Sequence, residues 1–408
     1  MISNKFISHN GEIVYSSRAW FGGIAEATSL ESEQRKSLNF WKLAVAPQQG
    51  EIADCANEIM RRYAQYTPGS DECSKFLLSL VLECRERIRN MLLSPADRDH
   101  CTIEFVPNMC RGLEIALCRI KGLSRIILSP YEHPSALAVA RWLASIIKAD
   151  VCQLQFEASD YILSRDEQEK KLVNMIQEKL QNSDGPTALI LSVVSYATGL
   201  AIRTEEITSR LRVIDDSSLH VILDGAHAAG NYISDIDIQK CSAYVISVHK
   251  WLLSPEPCGI IITPGQVGDE EVSYDTWSHL FPVTTANARI FASLVSSLRA
   301  IDRVGLDNWR AHSIRFRDHF IERMHARLSI IGYSTGMEMT SFVAVRPKSG
   351  YRWRWRMEEL GKYLEQHSVY LLMLSIDPET PWLRIAFPYT MHIQQVDELC
   401  DILDTSLE

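Results

Sequence analysis

The chain has 408 residues, 46% of them hydrophobic and 23% charged, which suits a large packed core and excludes a mainly disordered polymer. Its 42 basic and 51 acidic side chains leave a net charge of −9. An acidic surface repels phosphate, so neither nucleic acid nor an anionic membrane is an expected partner.

The opening MISNKFISHNGEIVYSS has no basic stretch leading into an apolar one, so it does not read as a secretory leader. GEIADCANEIMRRYAQY and DECSKFLLSLVLECRERIRNMLL follow, with apolar residues at three- and four-residue spacing, and predict two helices. From about residue 100 the rhythm changes. Seven short apolar runs recur: TIEFVP, SRIILSP, VCQLQF, TALILSVVS, LHVILD, AYVISV and CGIIIT. Helical stretches such as PSALAVARWLASIIKA and EEITSRLRVI alternate with most of them. That alternation predicts an α/β unit with a mostly parallel, seven-stranded sheet covered on both faces. ANARIFASLVSSLRAIDRVG reads as a long helix linking to a smaller C-terminal α+β unit. Strands are expected there at TSFVAV, VYLLML and WLRIAF, and helices at RWRMEELGKYLEQ and IQQVDELCDIL. The expected organisation is an N-terminal helical segment (1–98), a large α/β domain (99–300) and a small α+β domain (301–408). The most apolar helix, ALAVARWLASII, is too short to cross a bilayer and carries Arg141. Ten cysteines form no C-x-x-C pair and none has zinc-finger spacing to a histidine, so neither a disulfide framework nor a metal site is expected. These features together read as a cytoplasmic protein.

In a parallel sheet, ligands bind beyond the carboxyl ends of the strands. LHVILDGAHAAG puts Asp224 and His227 at one such end, and AYVISVHKWLL puts Ser247, His249 and Lys250 at the next. A buried acid and a lysine on neighbouring strands suit pyridoxal phosphate. The lysine joins the aldehyde as a Schiff base, and the acid keeps the pyridine nitrogen protonated so that the ring can accept electrons. Singly these residues have ordinary alternatives: a surface lysine, a turn or cap aspartate.

On these residues the chain resembles the fold-type I pyridoxal-phosphate enzymes of the class V aminotransferase group, which includes cysteine desulfurases and isopenicillin N epimerase-like proteins. HKWL followed by a Pro/Gly turn and an apolar strand is similar to the epimerase-like branch. The resemblance runs through roughly residues 100 to 400 and implies further roles. His133 in SPYEHPSA would stack on the cofactor, the preferred reading over a turn cap or a core histidine. Met109 and Cys110 in FVPNMCRGLEIAL would offer backbone N–H groups to the phosphate at a helix N-terminus, aided by Ser247 and His249. Ser195 in LSVVSYATGL would lie beside the cofactor oxygen. Arg384 in WLRIAFPYT would bind the substrate carboxylate. Thr285 in TTAN would complete a neighbouring subunit's phosphate site, and a homodimer is implied.

Departures from the pattern are informative. Cys110 replaces the usual threonine, Tyr196 stands where desulfurases often have asparagine, and His227 where they have glutamine. Desulfurases carry a nucleophilic cysteine in the C-terminal part, and this chain has none between Cys258 and Cys400. The expected activity is therefore that of a pyridoxal-phosphate enzyme acting at Cα of an amino acid, by epimerase-like, C–S/β-lyase or aminotransferase chemistry. The rival readings are a desulfurase with an atypical nucleophile such as Cys258, and a non-catalytic protein that kept the fold. The alternating YRWRWRM stretch is read as a surface segment with inward-packed tryptophans rather than a nucleic-acid platform.

Overall fold

The computed structural model describes residues 50–181, 185–212, 218–232, 236–265, 287–333, 338–367, 369, 371–374, 382–389 and 391–408. The chain enters through α1 (Gly50–Tyr63) and α2 (Asp71–Leu92). Ser70 caps α2 by accepting from the Cys73 amide at 3.1 Å, and Asp71 and Glu72 face the positive end of its dipole. Both helices lie on α7 (Ala288–Val304), and Ile59, Leu77, Val81, Cys84 and Ile88 join the core beneath the main sheet.

That sheet contains β1 (Cys101–Val106), β2 (Arg125–Leu128), β3 (Asp150–Gln153), β4 (Thr187–Ser192), β5 (Leu219–Asp224), β6 (Ala243–Ser247) and β7 (Gly259–Pro264), one for each apolar run. Their spatial order is β1-β7-β6-β5-β4-β2-β3. Only β7 runs against its neighbours. The helices between them are α3 (Met109–Cys118), α4 (Pro134–Ile147), α5 (Arg165–Leu180) and α6 (Thr204–Arg212). Successive strand residues point to opposite faces, which explains the unbroken apolar runs. Ile126, Leu128, Ala188, Ile190, Ile222, Val245 and Ile261 pack under α3 and α4. Their neighbours Ile127, Leu189, Leu191, Val221, Leu223, Ile246, Ile260 and Ile262 pack into the core on the other face.

α7 ends at Gly305, whose φ of 84° turns the chain directly into α8 (Leu306–Met324). A second sheet follows, built from β8 (Leu328–Ile330), β9 (Phe342–Pro347), β10 (Leu372–Leu374) and β11 (Trp382–Ala386), with α9 (Met357–Gln366) and α10 (Ile393–Thr405) against it. It is antiparallel, in the order β10-β11-β9-β8. The three-residue β8 was not anticipated, because it is too short to carry a period. Along β11, Leu383 and Ile385 face the core of this smaller unit, whereas Trp382 and Ala386 join the core of the main sheet. Alternation puts Arg384 on the latter side, towards the large sheet. Trp353 of the YRWRWRM stretch is buried in the small core, and Trp355 stacks on Tyr363 at 4.1 Å. Among the described residues no helix is long and apolar enough to cross a membrane.

Candidate active site

The sequence-predicted residues converge at the carboxyl edge of the main sheet. Asp224 ends β5 and is buried. Its Oδ1 accepts the Ala226 amide at 2.9 Å, which aims the carboxylate. Lys250 follows β6 on a turn tied at both ends. The Val248 amide donates to the Cys258 carbonyl at 3.1 Å, and Ser297 Oγ donates to the Leu252 carbonyl. The Lys250 amine lies 3.0 Å from Nε2 of His227.

Trp251 decides which way that contact is polarised. An indole N–H can only donate, and it reaches His227 Nδ1 at 3.4 Å. Burial, assisted by the Lys250 and Arg384 charges, keeps the imidazole of His227 neutral. With Nδ1 accepting, the ring proton sits on Nε2 and points at the lysine. That arrangement favours an amine that offers its lone pair. Burial pushes Lys250 down to about 8, against the opposing pull of Asp224 and with help from Arg384. Hydrogen bonding and burial thus both make the amine easier to deprotonate than an ordinary lysine.

Met109 and Cys110 open α3, whose cap Asn108 accepts from the Arg111 amide at 3.0 Å. The first amides of a helix have no intrahelical acceptor. This helix start lies against β7, since a Cβ on Gly259 would stand 2.6 Å from the Asn108 carbonyl carbon and 2.8 Å from the Met109 nitrogen. Only glycine permits that approach. Cys110 lies close enough to Lys250 to bear on its charge. Ser247 Oγ is 3.1 Å from Nδ1 of His249, whose ring burial pushes down to about 3 and keeps neutral.

His133 caps α4, its Nδ1 accepting from the Ser135 amide at 3.1 Å. The capping alternative weighed from sequence therefore holds, and the ring nevertheless faces the site. It meets Tyr196 edge-on, with centroids 5.0 Å apart. Burial, then Lys250 and Arg384, push His133 down to about 3. Ser195 is buried and its hydroxyl accepts from the Thr198 amide at 3.3 Å within its own turn. Tyr196 next to it reaches the cluster. Arg384 Nη1 donates to the Tyr196 carbonyl at 2.6 Å, and its guanidinium lies 5.5 Å from the Phe342 ring. Its Nε is buried with no acceptor among the described residues. Burial pushes Arg384 down to about 10. A buried guanidinium facing no carboxylate among the described residues suits an anion brought by a ligand. Thr285 lies outside the described residues.

Three residues of the site were not singled out as functional from sequence. Trp251 and Glu132 each adjoin a chosen residue, and Tyr196 had been noted only as a departure. A polar or aromatic side chain directly after a strand was the available signal.

The chain matches the family described as aminotransferase class-V over residues 47–369. It belongs to that family. Isopenicillin N epimerase of Streptomyces clavuligerus is 32% identical over 89 residues, a match that spans 22% of this chain and 22% of the epimerase. Among solved structures, a NifS-like protein from Rickettsia africae superposes with a TM-score of 0.70 at 11% identity, covering 90% of this chain and 99% of its own. The cysteine desulfurase CsdA of Escherichia coli gives 0.68 at 17% identity, covering 97% and 99%. The cystine C-S lyase C-DES, solved with its product cysteine persulfide, gives 0.69 at 17% identity, covering 92% and 98%. At these identities the structures share the fold, that of fold-type I pyridoxal-phosphate enzymes. The cofactor of this chain is pyridoxal 5'-phosphate. Its own residues fit that group: a lysine amine held near neutrality, a buried carboxylate on the adjacent strand, and a helix N-terminus lying against β7.

Proposed function

We propose that this chain labilises the Cα–H bond of an α-amino acid at Lys250, and that the resulting reaction is epimerisation, β-elimination or transamination rather than persulfide-forming desulfuration. One observation carries the reading: a lysine amine pushed down to about 8 shares a buried cluster with an arginine whose Nε lacks an acceptor. The first group is suited to moving a proton at neutral pH. The second is suited to a carboxylate.

In this reading the Met109 and Cys110 amides, Ser247 and His249 hold the cofactor phosphate. The His133 ring would stack on the cofactor, while Ser195 and His227 would lie beside its phenolic oxygen. Asp224 would pair with its ring nitrogen. Bound there, pyridoxal phosphate supplies a sink for the electron pair left at Cα. Arg384 fixes the substrate carboxylate and so orients the Cα–H bond. Lys250 Nζ takes the Cα proton and can return it. Tyr196, buried between His133 and Arg384, narrows the space around the substrate and helps exclude water.

Against desulfuration stand the absence of any cysteine between Cys258 and Cys400 and the state of Cys258 itself. Its thiol is 1% exposed and burial pushes it up to about 12, the reverse of an activated nucleophile.

The test is exchange at Cα. The holoenzyme in heavy water, given a panel of amino acids that includes S-substituted cysteines, is expected to put deuterium at Cα of at least one of them. Borohydride reduction and peptide mapping are expected to place the cofactor on Lys250. A K250A protein that exchanged as fast as the parent would refute the assignment, and product identification on the same samples separates the three outcomes.

A further inference from the structure

Beside Asp224 lies a second carboxyl that the reaction described above does not use. Glu132 follows β2 in the Tyr131–Glu132–His133 stretch and is 3% exposed. Its Oε1 is saturated, accepting from Ser129 Oγ at 2.7 Å and from the Ser192 amide at 2.5 Å. Ser192 ends β4 and is the register partner of Asp224 on β5. The side chain of Glu132 therefore reaches across the end of β4 to the edge where Asp224 ends β5, which puts the two buried carboxyls side by side and lets each bear on the other's charge.

The other oxygen, Oε2, is buried and no N–H or hydroxyl of the described residues reaches it. An ionised oxygen so placed would carry the full cost of burial without a donor. The same oxygen bearing a proton is itself a donor and needs an acceptor, which Asp224 provides. Two touching buried carboxyls cannot both ionise. Asp224 is the better anion of the two, because it faces Lys250 as well as the Ala226 amide. Glu132 is pushed well above the ordinary carboxyl range, first by burial and then by the Asp224 charge.

The geometry points to Glu132 as a positioning residue: its carboxylic acid donates to Asp224 and keeps that carboxylate the anion that faces the cofactor ring nitrogen. The inference rests on the reading of Asp224 as the partner of that nitrogen. A hydrogen bond received by Asp224 lowers its basicity, so the shared proton stays on the ring, where it makes the cofactor a stronger electron sink. Without the donor, buried Asp224 becomes basic enough to take that proton.

Two variants and two spectroscopic readouts on the full-length protein test this. E132Q keeps a neutral donor of the same shape, and E132L removes the donor. Infrared difference spectra of the parent minus E132Q, recorded at pH 7 with and without cofactor, are expected to contain the carbonyl stretch of a protonated carboxyl. A parent protein without that band overturns the proposal whether or not cofactor is bound. Nitrogen NMR of holoenzyme carrying ring-labelled cofactor is expected to find a protonated ring nitrogen in the parent and in E132Q, and an unprotonated one in E132L. Apparent cofactor affinity is expected to fall roughly 10- to 100-fold in E132L and to stay within a few-fold in E132Q. An unprotonated nitrogen in the parent refutes the reading of Asp224 and the proposal with it. A nitrogen that stays protonated in E132L overturns only the role of Glu132, as does E132Q behaving like E132L.

Discussion

Replacing Lys250 with methionine is expected to stabilise the cofactor-free protein at neutral pH, because the residue central to the chemistry is a burden to the fold. Lys250 is pushed from 10.5 to about 8. A gap of that size amounts to about 3 kcal/mol against the folded state at pH values below 8. The lost attraction to Asp224 reduces the benefit of removing it, so about 3 kcal/mol is an upper bound. The sign follows from proton counts. Below pH 8 the amine is protonated in both states and the whole penalty is present. Between 8 and 10.5 the unfolded chain binds one more proton than the folded one, so the parent gains stability as pH rises. Urea unfolding of the parent and of K250M at half-unit steps from pH 6.5 to 10 is the assay, and taking the difference cancels the titrating groups that lie away from Lys250. The advantage of K250M is expected to be largest below pH 8 and then to shrink towards zero. A pH-independent difference, or a parent more stable at pH 7, would refute the depressed lysine and with it the easily deprotonated amine on which the proposed proton transfer depends.

Other perturbations address neighbouring parts of the site. R384L is expected to weaken binding of the amino-acid substrate by about tenfold or more while leaving cofactor affinity within a few-fold, since a charge-assisted fork to a carboxylate is lost; substrate titration of the cofactor absorbance reads this, and unchanged substrate affinity would count against the assignment. C258A is expected to leave turnover and product distribution unchanged, whereas sulfide release from cysteine that vanished in C258A would revive the desulfurase reading. G199A is expected to destabilise the fold by roughly 2 kcal/mol or more. Gly199 has φ +75° and an added Cβ would lie 2.1 Å from the Phe342 carbonyl oxygen, where the turn carrying Tyr196 meets the start of β9 through hydrogen bonds from Thr340 to the Gly199 carbonyl. A denaturation midpoint for G199A equal to that of the parent would contradict this account of the contact.

Much of this protein is written locally. The inner strands of the main sheet coincide with apolar runs, because a strand buried on both faces needs Ile, Val and Leu at consecutive positions, whereas the edge strand β3 is only half-buried. Asp224 and Lys250 were legible for a related reason: a polar residue ending an apolar run marks a carboxyl edge, and pyridoxal phosphate needs an acid and an amine at that edge. The cap at His133 was only the lesser alternative from sequence, because local order does not tell a capping imidazole from one that faces a ligand.

The order of the strands was decided elsewhere, since pairing is settled by contacts between residues far apart in the chain. Only when β4 lies between β2 and β5 does Glu132 reach Asp224 across Ser192. Only when β11 aligns with β9 does Arg384 turn towards Tyr196. The Trp251 hydrogen bond that sets the His227 tautomer belongs to the same class, because it depends on how two strand-end turns fold towards each other. The amino-acid order therefore determined which chemical groups stand at the sheet edge, through local hydrophobic periodicity. Tertiary packing determined their protonation, because burial and the distance to the next charge exist only once distant strands have met.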